Sequence, residues 1–397
     1  MRTRAILSFG NFFASAHFFL IIYILAPYLA TFMPAAQTGL VISFGAVITL
    51  CVFPFLPSLV GRFGPQKLAT GLAISESIIL LWLALSPSPV AAVLLVAFAC
   101  SISPLLAYQL DLLLEATVKK ESETGRIRTA FLTAGNTALL VTPLIIGTLL
   151  DGTNRYDRIF LVAALSLIPF IVLMLAQRLP QGHIPHGHDV RAACICVAKD
   201  RDLSAIAASM LILQLFYHLA PLYIPLYLHT VIGIPWSELG WVFALMLVPF
   251  VLVEYPAGVL ADTKLGDRTL LLIGFVVTGL SFALIGLIRT STPILVILGV
   301  LLATRIGAAL VEAMVEGHFF RRVSEKDTNT VSVFRMMRPV GALIAPLTGS
   351  ILLTLTNYQT FFAVTGVIVA VAGVVTASGV RSFRPVRDAA HADINRT

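Results

Sequence analysis

Charge is what this chain has least of. Only 12% of its residues are Asp, Glu, Lys or Arg, about half of what a soluble domain carries, so a water-soluble globular fold is not expected. Acids are the scarcer sign, 20 against 27 Lys and Arg in 397 residues. Cysteines number four; Cys51 and Cys100 fall in apolar runs and Cys194 and Cys196 in a polar stretch, so no disulfide framework is implied. The chain also lacks a phosphate-binding glycine loop, a dinucleotide fingerprint, a Gly-x-Ser-x-Gly elbow and a zinc-protease helix. It therefore reads as neither an enzyme nor an ATP-driven pump, and no cofactor is expected.

What fills the chain is hydrocarbon. Hydrophobic residues make up 58% and mean hydropathy is +0.94. Runs of about 20 apolar residues are long enough to cross a hydrocarbon core of about 30 Å as helices. Twelve such spans are expected: 6–32, 37–60, 67–86, 90–116, 127–150, 158–178, 203–229, 236–261, 268–289, 293–317, 331–354 and 357–379. The first is too long for a cleaved leader and is expected to stay. The fold class is thus all-α and membrane-embedded.

Basic residues give the orientation. With the N-terminus in the cytoplasm, 21 of the 27 Lys and Arg fall on the cytoplasmic side, Arg155, Arg158 and Arg289 outside, and Arg305, Arg335 and Arg338 inside spans. This is the positive-inside pattern, and it predicts cytoplasmic termini in a plasma (inner) membrane. The net charge of +7 is a consequence of topology, and no nucleic-acid partner is inferred. The expected partners are the bilayer, protons and a small solute, with the chain a monomer.

The chain is also a duplication. Asp111 and Glu115 recur 201 positions later as Glu312 and Glu316. Residues 179–202, with Pro180, Gly182, His183, His186 and His188, interrupt the apolar pattern at the midpoint. The expected division is a six-helix bundle at 1–178, a cytoplasmic linker at 179–202, a second bundle at 203–380 and a tail at 381–397. The linker histidines with Cys194 and Cys196 invite a metal reading, but flexible His-rich linkers bind metals adventitiously, and no metal site is expected.

The turn after the eighth span carries Gly258, Leu260, Ala261, Asp262, Lys264, Gly266 and Arg268. It resembles the Gly-x-Leu-Ala-Asp-(Arg/Lys)-x-Gly-(Arg/Lys) loop of the major facilitator superfamily, with one extra residue before Gly266. The first-half copy keeps Leu59, Arg62 and Gly64 but has Gly61 in place of Asp. In span eleven, Gly341, Pro346 and Gly349 resemble a motif that family antiporters carry in helix five, where this chain keeps only Ala138, Thr142, Pro143 and Gly147. The resemblance implies two pseudo-symmetric six-helix bundles working by alternating access, with spans one, four, seven and ten lining the cavity. It also implies that Asp262 latches onto the start of span five, near Arg126 and Arg128. For the span-eleven residues, close helix packing is the competing reading.

Ionisable groups at membrane depth each cost a few kcal/mol against lipid, so each should face a partner or a watery cavity. They are Glu76 in span three, Asp111 and Glu115 in four, Glu254 in eight, Arg305, Glu312 and Glu316 in ten, and Arg335 and Arg338 in eleven. Arg305, Glu312 and Glu316 share one helix face, with Arg305 at the midplane. An ion-pair cluster of Glu312 and Glu316 with Arg335 and Arg338 is expected, and Glu115 is expected to pair with Lys119 and Arg128. Arg305 reads as a contact for substrate or proton relay, or else as half of an interhelical salt bridge. Glu76 reads as a buried, protonated or paired carboxyl. His17 and His218, near mid-membrane in spans one and seven, are candidates for ligand or proton roles against the alternative of hydrogen-bonded core residues.

The sequence thus predicts a proton-driven secondary transporter of a small organic solute, expected to export it as drug:proton antiporters do. The alternatives are proton-coupled uptake of a polar solute and a transporter-derived sensor or scaffold that moves nothing.

Overall fold

The computed structural model describes residues 2–117, 124–177, 179, 190–323 and 328–381. All regular structure in these residues is helical. Eleven stretches are long and apolar enough to cross a bilayer, and one of them, Trp236–Ile285, is 50 residues long and contains the eighth and ninth spans. Those two join at Gly266, where φ is 74° and ψ 159°, a region of the backbone map open essentially to glycine.

Proline accompanies several of the helix interruptions, because it removes an N–H and clashes with the preceding turn. Span two runs through Thr38–Val52, a 3-10 turn at Phe53–Phe55 around Pro54, and Leu56–Phe63. Span four, Pro89–Glu115, contains Pro104, and span five, Thr124–Leu149, contains Pro143. Span seven, Arg201–Pro225, carries Pro221 and Pro225 and ends in a π-turn at Leu226–Val231. Span eight is broken into Trp236–Met246, Pro249–Leu252 and Glu254–Leu260. Span ten, Ile294–Arg322, has no internal proline and continues five residues past its expected end.

The chain packs as two compact units: Met1–His186 with Pro221–Ala244, and Gly187–Ala220 with Leu245–Thr397. In the first, span three (Pro65–Ala84) packs against span four and span six (Tyr156–Ala176). In the second, span nine (Gly266–Ile285) packs in the same way against span ten and span twelve (Tyr358–Gly379). Three, four and six are answered by nine, ten and twelve, so the internal repeat is one of packing as well as sequence. The segment Pro221–Ala244 joins the first unit through aromatic contacts: Phe243 stacks on Tyr23 at 5.5 Å, and buried Trp236 meets Tyr156 edge-on at 6.3 Å.

The two motif turns are also repeats. Gly64 precedes span three with φ 81° and ψ 153°, nearly the values at Gly266. The extra residue of the second copy is absorbed in a π-turn, Ala261–Leu265. Within the expected linker, Val190–Lys199 forms a helix that packs on span eleven, Thr328–Leu355. Its Val197 is buried with Ala207 and Val333.

Candidate functional site

Span ten carries Arg305, Glu312 and Glu316 along one helix, and the structure gives each a different neighbour. Arg305 is 4% exposed, with its guanidinium carbon 5.2 Å from the centre of the Phe216 ring on span seven. A cation over an aromatic face away from water is worth up to about 2 kcal/mol. One residue along span seven, the Tyr217 hydroxyl donates to Glu312 Oε2 at 2.5 Å. Glu316, one turn further along span ten, instead accepts from Arg335 Nη1 at 3.4 Å and Arg338 Nη2 at 3.2 Å. Within the expected four-member cluster the hydrogen bonds are thus unequal: Glu316 bonds the two guanidinium groups, while Glu312 feels the charges of Arg338 and Arg335 but takes its hydrogen bond from a neutral phenol on another helix.

The consequence is electrostatic. A phenol is a neutral donor, so the carboxylate that it meets can lose or gain a proton without breaking a hydrogen-bonded salt bridge. Glu254, on the last segment of span eight, is exposed and lies within electrostatic reach of Glu312. His218 sits beside Tyr217 with Nδ1 2.8 Å from the Gln214 carbonyl. A carbonyl only accepts, so Nδ1 carries hydrogen and Nε2 is the acceptor of the neutral ring.

The first unit offers a cavity of about 230 Å³ lined by spans one and four and by Phe131, with Asn11, Ser15, His17, Ser103 and Asp111 among its residues. Asn11 Nδ2 donates to the Phe131 carbonyl at 2.8 Å. His17 is 1% exposed, and neither ring nitrogen makes a well-formed hydrogen bond among the described residues, although the Ala14 carbonyl lies close. Glu76 is fully buried, and neither of its oxygens has a hydrogen-bond partner among the described residues. A lone ionised carboxylate there would cost many kcal/mol. Asp111 and Glu115 are both exposed, so the duplicated acids have diverged in surroundings. Lys119 and the Arg128 side chain, expected near Glu115, lie outside the described residues, as do linker residues His183, His186 and His188.

Asp262 Oδ1 accepts from Arg321 Nη1 at 2.9 Å, at the end of span ten in its own unit; the side chains of Arg126 and Arg128, expected to face it, lie outside the described residues. Lys264 is exposed and Arg268 half-buried in the turn and the following helix, and Arg62 lies 5.2 Å from the Phe63 ring. In span eleven, a Cβ on Gly341 would come 2.7 Å from Gln214 Cβ. Close packing therefore explains that glycine; Pro346 and Gly349 are buried beside it in the same helix.

Sequence reasoning passed over one cluster. At the end of span ten, His318 lies between Asp267 and Asp202, while Arg321 and Arg322 reach Asp262, Asp267, Asp200 and Asp202. Asp200 also accepts the backbone N–H groups of Leu203 and Asp202 at the start of span seven. The Leu203 bond first, helped by that from Asp202 and the charges of Arg322 and Arg381, holds the Asp200 carboxyl below the usual range. Among the described residues no His, Cys, Asp or Glu group is arranged to hold a metal.

Residues 205–394 match the Major Facilitator Superfamily profile. Over the whole fold, the chain is similar to the nucleoside transporter NupG, with a TM-score of 0.73 and 14% identity over 96% of this chain and 99% of that one. It is also similar to an auto-inhibited POT family peptide transporter, with a TM-score of 0.78 and 13% identity over 97% and 98%. A bacterial homologue of the human lysosomal transporter Spinster gives a TM-score of 0.73 and 12% identity over 95% of each chain. No curated protein sequence matches the chain.

Proposed function

Because the chain belongs to the major facilitator superfamily, we propose that it is a proton-coupled secondary transporter that exports a small organic solute by alternating access. The observation that carries this reading is the unequal treatment of two acids one turn apart. Glu316 is fixed by Arg335 and Arg338, and Glu312 is left to Tyr217. In this reading Glu312 exchanges the proton. Glu254 passes protons to it in the same reading, and Arg305, which stays protonated, competes for the carboxylate or for an anionic group of the solute. His17, Asp111 and Glu115 of the first unit, with His218 of the second, contribute solute or proton contacts, and Glu76 remains a buried neutral acid.

The proton gradient is the only energy source in this account. The protein works as a monomer in the plasma (inner) membrane, with bundles at 1–178 and 203–380 and both termini and the 179–202 linker in the cytoplasm. Uptake of a polar solute with protons is the second reading, favoured by span five, which lacks the family's antiporter motif around Pro143 and Gly147. The test is flux in proteoliposomes. Compounds that raise the protein's melting temperature are assayed with and without an imposed pH gradient, using a pH dye in the lumen. Solute accumulation that requires an acidic lumen supports export, and accumulation that requires an acidic exterior supports uptake. No flux of any stabilising compound, and no dye response, contradicts both and leaves a non-transporting sensor.

A further inference from the structure

His318, on span ten beyond Glu316, is 0% exposed, and each edge of its ring meets a carboxylate from a different helix. Nδ1 lies 2.9 Å from Asp267 Oδ2, and Nε2 lies 3.2 and 3.1 Å from Asp202 Oδ1 and Oδ2. Asp202 is in the first turn of span seven and Asp267 in the first turn of span nine. A neutral imidazole has one N–H and one bare lone pair. A lone pair aimed at a carboxylate is repulsive, so the two contacts together require two protons.

The acids are not the carriers of the second proton. Asp202 Oδ1 accepts the backbone N–H of Arg381 at 2.7 Å, and its Oδ2 lies 3.1 Å from Arg322 Nε. Asp267 Oδ1 accepts from Arg321 Nη2 at 2.5 Å. Both carboxylates are thus engaged as acceptors by further cationic or backbone donors, which favours their ionised forms. Both protons belong on the ring. The charges around it agree: Asp200, Asp202, Asp262 and Asp267 stand against Arg321, Arg322 and Arg381, whose charge acts on Asp200. The sum is balanced when His318 is an imidazolium.

We propose that His318 is a protonation site distinct from the Glu312 face. Its proton staples the starts of spans seven and nine and the end of span twelve to span ten, and alkaline pH releases them. Deprotonation leaves one of two buried carboxylates without its donor, and the helix ends it held can fray. The stabilisation is present at low pH and is lost as pH rises far enough to remove the proton. The proposal goes beyond the transport reading and stands without it, since it concerns the packing of one unit.

The test reads structure, not flux. In the full chain labelled with ¹⁵N-histidine, the His318 signal is the one that His318→Gln removes, or that Asp202→Asn shifts where the glutamine chain does not fold. The proposal expects both ring nitrogens protonated at low pH, as the two carboxylate contacts require, and loss of one proton as pH rises. As pH climbs toward that loss, hydrogen exchange of amides 203–206 should accelerate beyond the intrinsic base-catalysed rate by up to about tenfold per pH unit, and the excess should level off once the native ring has lost its proton. In His318→Gln, exchange should exceed wild type at low pH and follow only the intrinsic rate. A singly protonated ring at low pH overturns the proposal, as does a folded His318→Gln chain whose exchange tracks wild type at every pH.

Discussion

The Tyr217 hydroxyl donates to Glu312 across 2.5 Å, from span seven to span ten, while the neighbouring Glu316 is held by two arginines. Tyr217→Phe removes that donor without changing the helix. Loss of a hydrogen bond to a charged group costs about 1.5 to 3 kcal/mol of the ionised state. Glu312 would then hold its proton more tightly, and the pH profile of transport should shift toward alkaline values by about one to two units. An unchanged profile in a folded Tyr217→Phe protein would show that this bond does not tune the exchanging acid.

Arg305 lies against Phe216, near the middle of span ten. Arg305→Ala should abolish gradient-driven flux in a protein that still folds, and Arg305→Lys should retain a fraction with altered pH dependence, because it keeps the charge and loses the planar fork. A melting temperature and expression level that fall together in Arg305→Ala, rescued by neutralising an acid nearby, would mark a structural ion pair instead.

Asp262 and Asp267 both pair with Arg321, but their side chains are 62% and 3% exposed. Asp262→Asn should therefore change stability by no more than about 1 kcal/mol. Asp267→Asn breaks a buried pair and should cost about 3 to 5 kcal/mol. Melting in detergent separates the two, and equal losses would refute the assignment of Asp267 as the buried anchor.

Gly64 and Gly266 occupy backbone conformations that side chains oppose, so alanine at either should cost about 1 to 3 kcal/mol. Gly258, in the same motif, has open space around its Cβ position and no positive φ, so Gly258→Ala should be near neutral. Thermal melting of the three variants checks this, and a Gly258→Ala loss as large as that at Gly266 would contradict it.

Much of this architecture is written in the hydropathy of the chain, because bilayer thickness turns apolar run length directly into helices. Pro54 and Pro249 mark where spans two and eight are interrupted. The extra residue before Gly266 was visible as an insertion, and its π-turn is the way a helix end absorbs one residue. Which faces meet was not legible. Nothing in the spacing of Tyr217 says that its hydroxyl reaches Glu312 instead of a neighbour on its own helix. Nor does the spacing of Asp202, Asp267 and His318, far apart in sequence, say that they meet. Only the packing of spans seven, nine and ten brings the three together. The helix at Val190–Lys199 was hidden for a related reason: its apolar side is short, and its partner Val333 is far away in sequence.

The central claim is that Glu312 carries the coupled proton and Glu316 does not. It is tested by comparing Glu312→Gln and Glu316→Gln in proteoliposomes, with solute counterflow and luminal pH recorded in the same vesicles. The account predicts that Glu312→Gln keeps solute exchange but no longer moves protons or responds to an imposed gradient. It also predicts that Glu316→Gln, by leaving Arg335 and Arg338 without their carboxylate, lowers stability while remaining coupled. Gradient-driven accumulation by a folded Glu312→Gln protein would contradict it.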